Sequence, residues 1–517
     1  MRPIDPQSWK QDMPEFREKT AAFYAGELDK NAYKGFSGLY GSYAQKGGQA
    51  SMLRLRMTAG RVTQEKLAFV AKAIRDYQVP RVHFTTGQTI QFHDLHQEEL
   101  CAIMDGALDA GIVFMGGGGD FPRNVTCSPL SGLTAGEYFD VLPWAQAAAE
   151  YLMHFIKAEK MPRKLKVAFS NTQENASHAT YKDLGFVARP DGTFDVYSAG
   201  GLGNNPRFGV LVAQAVEPRK ICYYLKAMWL TFRAYGNYEN RGKARTRYMQ
   251  EVCGGPEGYK KAYLEKLQEV MDSGEDLDLA VEPVEVTKAG DGTQASGPRV
   301  IPQKQPGLYT VAWHPIGGQA DPATFCKVAD LLCAMEGAEM RLSPDETAYL
   351  VNLTGTEAEQ LLAATEDDTA HSLFETSVSC IGGATCQVGM RDSQGLLQAC
   401  VRAVREAGLP DGALPQMHIS GCNSSCATHQ TGVLSFRGGA KPVGGKPQPA
   451  FTLFAGGDSR QGRETMAREV GSILESEVPQ FLVTLGKAVA ESGQDFAAWY
   501  EKDPQGVEAV ARPFVEK

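Results

Sequence analysis

Long apolar runs are missing from this 517-residue chain, and no stretch is long enough to cross a bilayer as a helix. An apolar signal core is missing from the opening residues MRPIDPQSWKQDM, so a cytoplasmic protein with no membrane partner is expected. Positive charge is in deficit. The 52 Lys and Arg stand against 61 Asp and Glu, a formal net charge of -9, which excludes a global nucleic-acid footprint and requires any basic site to be local. Cysteine is sparse and odd in number, 11 in all, too thin for a disulfide framework. Reduced thiols, some of them metal ligands, are the expectation. What remains, 43% hydrophobic and 22% charged, is that of a soluble globular protein. The length calls for about two to four domains.

Four of the thiols are grouped. The stretch SVSCIGGATCQVG places Cys380 and Cys386 together, and HISGCNSSCATHQ places Cys422 and Cys426 together. All four lie among Gly, Ser, Thr and Asn, in loops that follow strand-like runs, where thiolates can converge on one centre. Incidental thiols and a structural zinc are alternative readings, but zinc sites usually show tighter C-x2-C spacing. C-x5-C followed by C-x3-C favours an iron–sulfur cube. Cys326 and Cys333 fall on an apolar helical face and read as core.

The chain repeats itself. MTAGRVTQEKLAFVAKAIRDYQVPRVHFTTGQTIQF aligns without a gap on PIGGQADPATFCKVADLLCAMEGAEMRLSPDETAYL, 258 positions later. Gly60 meets Gly318, and Thr63 meets Asp321 as a helix N-cap. Leu67, Val70, Ala71 and Ile74 meet Phe325, Val328, Ala329 and Leu332 on one helical face. Each unit ends strand, turn, strand. The following segments also correspond: RNVTCSPLSG, a helix near 136–157 and MPRKLKVAFS against SVSCIGGATCQVG, a helix near 393–407 and LPQMHISGC. The predicted fold is α+β (mixed α/β), with two halves related by a pseudo-twofold and a site between them. The expected divisions are a wrapping segment 1–50, a first half-repeat 51–122, a first α/β domain 123–286, a linker 287–307, a second half-repeat 308–370 and a second α/β domain 371–517. RGGAKPVGGKPQPA reads as a further loop.

Basic residues cluster in the first half. Strand alternation puts Arg54 and Arg56 on one face of SMLRLRMT, and Lys164 and Lys166 on one face of MPRKLKVAF, with Arg163 opposite. DFPRNVTC adds Arg123. A charge on a strand is usually just solvated, yet three such clusters suggest a cationic pocket for an anion. GGLGNNPRFG adds a turn that lets backbone approach a ligand, and it lacks the helix a dinucleotide fingerprint needs.

Together GLYGSYAQKGG, MLRLRMTAGRVT, TTGQTIQFHDL, PRNVTC, MPRKLKVAF, YGNYENRGKARTRY and the paired cysteine motifs resemble the siroheme and 4Fe-4S sulfite and nitrite reductases, from about Gly38 to Gly457. The resemblance implies ferredoxin-like modules in the duplicated fold. It implies that Cys380, Cys386, Cys422 and Cys426 bind a 4Fe-4S cluster, with Cys426 also the axial ligand of siroheme iron. Arg56, Arg123, Lys164 and Lys166 would surround the substrate; His83, Thr85, Gln91, Arg54 and Arg163 would contact siroheme. Siroheme carries many carboxylates, which accounts for a basic cradle in an acidic protein.

Departures from the family pattern are visible. Gly87 replaces an arginine usual in TTRQ, His83 stands where arginine is common, and Asn423 stands in place of the usual proline. Lys164-Leu165-Lys166 matches sulfite-type members, whereas nitrite-type members tend to Lys-x-Asn. Sulfite reduction to sulfide is therefore the expected activity, with nitrite reduction to ammonia as the alternative. A non-catalytic siroheme or iron–sulfur protein is a reading of another class, disfavoured because the anion-binding cations are kept. Without ferredoxin-type cysteines or a flavin domain in the chain, electrons must come from an external ferredoxin or flavoprotein. A crosslink between Tyr40 and Cys127 beside the pocket is a further possibility that the resemblance raises, against the simpler reading of a buried tyrosine and an ordinary thiol.

Overall fold

The computed structural model describes residues 4–516. Four five-stranded sheets form two matched pairs. In the first sheet Ser42–Ala44, Ser51–Arg56, Thr89–Leu95 and Arg81–Phe84 run antiparallel, and Gln319–Ala320 of the second half completes the edge. Its counterpart holds Val300–Pro302, Tyr309–Trp313, Ala348–Leu353 and Glu339–Leu342, and takes Arg61–Val62 from the first half. Each half thus lends the other a two-residue strand. Gln319 pairs with His83, and Arg61 with Arg341.

Helices Gln64–Tyr77 and Pro322–Ala334 pack on one another across the same seam. The two predicted apolar faces are buried, as a 3.6-residue period requires. Asp321 caps its helix by accepting from Thr324 N at 2.8 Å; Thr63 holds the N-cap position without that bond. The duplication is written in the backbone as well. Ala59 and Gly317, Gly60 and Gly318, Gln88 and Glu346, and Asp94 and Asn352 are pairs 258 positions apart, and every member has positive φ. That conformation is costly for residues other than glycine, so its recurrence at one offset marks a shared backbone.

The other two sheets also match. Thr126–Cys127, Val167–Ser170 and Leu184–Ala188 run parallel, followed by antiparallel Phe194–Ser198 and Val210–Val216. Val378–Ser379, Met417–Ser420 and Leu434–Val443 run parallel, followed by Lys446–Ala455 and Arg468–Leu474. Parallel neighbours need crossovers; helices Leu142–Met153 and Ser393–Glu406 supply the first in each sheet, and a loop supplies the second. The observed architecture is the expected duplicated α+β fold.

Local differences have local causes. The first crossover helix is shorter than 136–157 because Pro143 fixes its first turn. The expected loop RGGAKPVGGKPQPA is a hairpin instead. Gly444 and Gly445, φ 56° and 78°, form its two-residue turn, and the ladder runs on to Val443 and Lys446. Pro447 and Pro449 are tolerated there because the next strand begins pairing only at Ala450. Val300–Pro302 lies within the stretch read as linker. Trp9, Met13, Phe16 and Tyr40 of the opening segment are buried in the core of the exchanged sheets. No helix among the described residues is long and apolar enough to cross a membrane.

Candidate functional site

Loops from both halves meet around a cleft of about 1900 Å³, part of it open to solvent. Cys380, Cys386, Cys422 and Cys426 all line it. Cys380 follows strand Val378–Ser379, and its Sγ accepts from Gly421 N at 3.2 Å. Cys386 ends the single turn Gly382–Thr385 and donates its N–H to Gly382 O at 2.9 Å. Cys422 and Cys426 sit beyond strand Met417–Ser420, in a loop bent by left-handed Ser425 and Thr428. The first half reaches across to this loop, where Thr86 Oγ1 donates to the Cys426 carbonyl at 3.0 Å. Among the described residues no three His, Cys, Asp or Glu are gathered tightly enough for one metal ion. Ligands of one zinc lie about 2.3 Å from it, so these thiols are not arranged as a mononuclear zinc site.

Eight cationic side chains line the same cleft: Arg54, Arg56, Arg123, Arg163, Lys164, Lys166, Lys182 and Arg245. Their partners differ. Arg56 donates to Met115 O (2.9 Å), Pro122 O (3.1 Å) and Arg123 O (3.1 Å). Arg123 donates to Gly117 O (2.9 Å) and Gly119 O (2.7 Å), leaving its buried Nε unpaired. Arg54 also reaches the Gly117 carbonyl. Arg54 and Arg123 therefore clamp the glycine loop 116–119, and Arg56 ties down the residues that flank it. Arg163 faces the cleft, not away from it as strand alternation predicted, because the chain becomes regular strand only at Val167. Its charge is taken by Asp120 at 2.9 Å.

Lys164 and Lys166 flank buried Leu165, as alternation required, and neither ammonium has a hydrogen-bond acceptor among the described residues. Burial pushes Lys166 down to about 8, with Arg245 adding to the effect; Lys164 is driven well below the ordinary lysine range by burial and then by Lys166.

His83, Thr85 and Gln91 line the cleft too. Desolvation lowers His83 to about 4, so its ring is neutral. Thr85 Oγ1 lies 2.7 Å from Thr89 Oγ1 and accepts from Gly87 N at 3.2 Å, shaping the turn. The Gln91 amide, turned to satisfy both neighbours, accepts from Arg54 Nε at 3.0 Å and donates to His93 Nε2 at 3.2 Å. A Cβ at Gly87 would meet Thr85 Oγ1 at 3.6 Å, ordinary contact, so the backbone there admits a side chain's first carbon.

Sequence reasoning missed several lining residues. Asp183 is fully buried, accepts from Arg245 at 3.0 Å and from Lys166 N at 2.7 Å, and bonds Thr246. Glu346, 1% exposed and left-handed at φ 70°, accepts from Ser379 N at 2.9 Å and stands 4.0 Å from His83 Nε2. Its desolvation raises its pKa well above the carboxylate range, so the pair is neutral acid beside neutral imidazole. Its alignment with Gln88 was the only signal for it. Arg245 lay in the quoted KARTRY, where no alternation singled it out. Tyr40 and Cys127 belong to different hydrophobic clusters, Tyr40 against Phe16 and Phe36, and neither lines the cleft.

The cleft's chemistry fits a polycarboxylated haem beside a cluster. Cations outnumber carboxylates, one of the two carboxylates is neutral, and the buried nitrogens Arg123 Nε, Arg245 Nε and His178 Nδ1 have no partner among the described residues.

Comparison with known proteins agrees. Residues 118–270 match the nitrite and sulphite reductase 4Fe-4S domain, and residues 43–110 the nitrite/sulfite reductase ferredoxin-like half domain. The ferredoxin–nitrite reductase of Synechococcus elongatus is 25% identical over 461 residues, covering 85% of this chain and 87% of that protein. A ferredoxin-type sulfite reductase of Mycolicibacterium paratuberculosis is 23% identical over 474 residues, 87% of this chain and 81% of that one. The NirA protein of Mycobacterium tuberculosis has the same fold, with a TM-score of 0.77 over 97% of both chains at 22% identity. Residues 43–110 and 118–270 thus carry the two domain types of the nitrite and sulfite reductases, and these matches imply siroheme and a 4Fe-4S cluster as cofactors.

Proposed function

We propose that this protein reduces sulfite to sulfide, taking six electrons from a ferredoxin, with a separate flavoprotein as the rival donor. The observation that carries this reading is the pair of lysine side chains, Lys164 and Lys166, that have no acceptor among the described residues and line the cleft that also holds four cysteines. In this reading Cys380, Cys386, Cys422 and Cys426 would hold the cluster, and the Cys426 thiolate would also couple it to the siroheme. Arg54, Arg163, His83, Thr85 and Gln91 form part of the siroheme cradle. When bound, the two groups store electrons and pass them one at a time to the oxyanion.

The side chains divide the remaining work. Arg56 and Arg123 are spent mostly on backbone carbonyls, so they hold the glycine loop and set a positive potential. Lys166 is poised near neutrality and serves as proton donor as each S–O bond breaks. Asp183, by holding the Lys166 backbone N–H, fixes where that ammonium starts.

Nitrite reduction to ammonia is the second reading. It is favoured by the names of several relatives, among them the ferredoxin-dependent enzymes of Synechococcus elongatus and Haloferax mediterranei, both called nitrite reductases. Steady-state kinetics with both anions on one preparation decides between them. A far higher specificity constant for nitrite would overturn the sulfite assignment, and turnover of neither anion would overturn both.

A further inference from the structure

The cysteine loop has a twin. Strands Val167–Ser170 and Met417–Ser420 begin 250 positions apart, and so do the strands that follow, at Leu184 and Leu434. The two loops between them share one backbone. Asn175 and His178 are left-handed, φ 50° and 60°, as are Ser425 and Thr428, φ 51° and 54°. His178 N donates to Asn175 O at 2.7 Å and Thr428 N to Ser425 O at 3.1 Å. Gly200 N donates to Lys182 O at 3.0 Å and Gly457 N to Gly432 O at 3.1 Å. The twins touch where equivalent residues meet, Tyr181 Oη lying 3.3 Å from Thr431 Oγ1.

One loop of this shape carries thiols to the cleft. Where it has Cys422 and Cys426, its twin has Thr172 and Ala176, and so offers no metal ligand there. What the twin brings to the same cleft is His178 and Lys182. We propose that this first-half loop is an anion-binding arm and that Lys182 contacts the oxyanion substrate alongside Lys166.

Three observations support the assignment. Lys182 lines the cleft, and no acceptor for its ammonium exists among the described residues. Its sequence neighbour Asp183 is already engaged by Arg245, Thr246 and the Lys166 N–H. The charged groups around it are Lys166, Asp183 and Arg245, with the His178 imidazole beside them. Two neighbouring ammoniums with no free carboxylate need an anion from outside the chain. Burial, and then Lys166, lowers Lys182 to about 7. Its charge, and so its hold on an anion, fades as pH rises through neutrality, while a bound anion pulls the proton back.

This inference rests on the oxyanion-reductase reading, and the test separates the two. Wild type, Lys182→Met and Lys182→Arg are prepared as cofactor-loaded enzyme. Siroheme content is read from the absorption spectrum, and sulfite and nitrite dissociation constants from titrations of the haem bands between pH 6 and 8. We expect Lys182→Met to keep its siroheme and its melting temperature, to bind sulfite at least about tenfold more weakly at pH 6.5, and to lose part of the pH dependence. Lys182→Arg should keep the affinity and extend it to higher pH, because guanidinium stays charged. Unchanged affinity and pH profile in Lys182→Met would overturn the proposal. So would a loss of siroheme with unchanged affinity in the loaded fraction, which would assign Lys182 to the cofactor's carboxylates. A wild-type enzyme that binds and reduces neither anion would instead sink the functional reading itself.

Discussion

In the proposed sulfite reading, Lys166 is the residue on which substrate choice turns. Lys166→Asn recreates the Lys-x-Asn pattern and removes a proton donor whose pKa lies at about 8. We expect the specificity constant for sulfite to fall at least about tenfold, roughly 1.4 kcal/mol of transition-state stabilisation. Nitrite should lose less, or gain. Because this lysine is depressed by burial, its protonated fraction declines as pH rises through about 8, so wild-type sulfite turnover should decline there too. Equal losses for both anions would reduce Lys166 to a source of general positive charge. Cys426 supplies a second test at this scale. Its carbonyl is tied to Thr86 and its side chain lines the cleft, so Cys426→Ser should disturb both haem and cluster spectra. Cys326→Ser, on a helix of the buried seam, should leave both intact. Wild-type spectra from Cys426→Ser would refute the bridging role.

At the scale of elements, the exchanged strands carry an ion cluster that joins the halves. Glu339 accepts from Arg61 of the lent strand at 2.7 Å and from Arg341 at 2.6 Å, with Arg341 almost wholly buried. Glu339→Gln leaves that guanidinium without a counter-charge and should cost about 3 kcal/mol in urea unfolding. The arginines hold the Glu339 pKa below its ordinary value against the opposing effect of burial. Its contribution is therefore complete above the unfolded-state pKa and is lost as pH falls through the folded one. The mutant's stability should vary less with pH across that acid range than the wild type's. A stability equal to wild type at neutral pH would show that the cluster is not coupled to folding.

The sequence made some of these elements legible and hid others for physical reasons. The repeat at 258 positions was readable because Leu67, Val70, Ala71 and Ile74 and their partners keep one apolar face. The lent strands were not, because Arg61–Val62 and Gln319–Ala320 are two residues long and no period fits in two residues. The four grouped cysteines announced themselves by spacing. The twin loop did not, since Thr172 and Ala176 share no chemistry with Cys422 and Cys426, and only backbone angles preserve the likeness. Lys182 sits alone in YKDL, without the alternation that flagged Lys164 and Lys166.

For the molecule as a whole, the reciprocal exchange means that neither half completes its exchanged sheet alone. A fragment ending near residue 290 would expose the edge of Arg81–Phe84 and the apolar face of helix Gln64–Tyr77. Such edges aggregate. We expect each fragment alone to be insoluble, and the two co-expressed to assemble into one soluble complex. A soluble, monomeric single fragment with native-like circular dichroism would contradict this.

The same lacing bears on how the enzyme is filled. A clamshell can swing apart about a hinge, admit a large rigid plate and shut again. Here strands from each side are stitched into the other, and the cleft lies along the stitching. The haem must enter through the open mouth of a finished pocket, or be gathered in while the two sides are still threading together. Insertion then becomes a matter of assembly order, and a chain that folds before its haem arrives has only the mouth left.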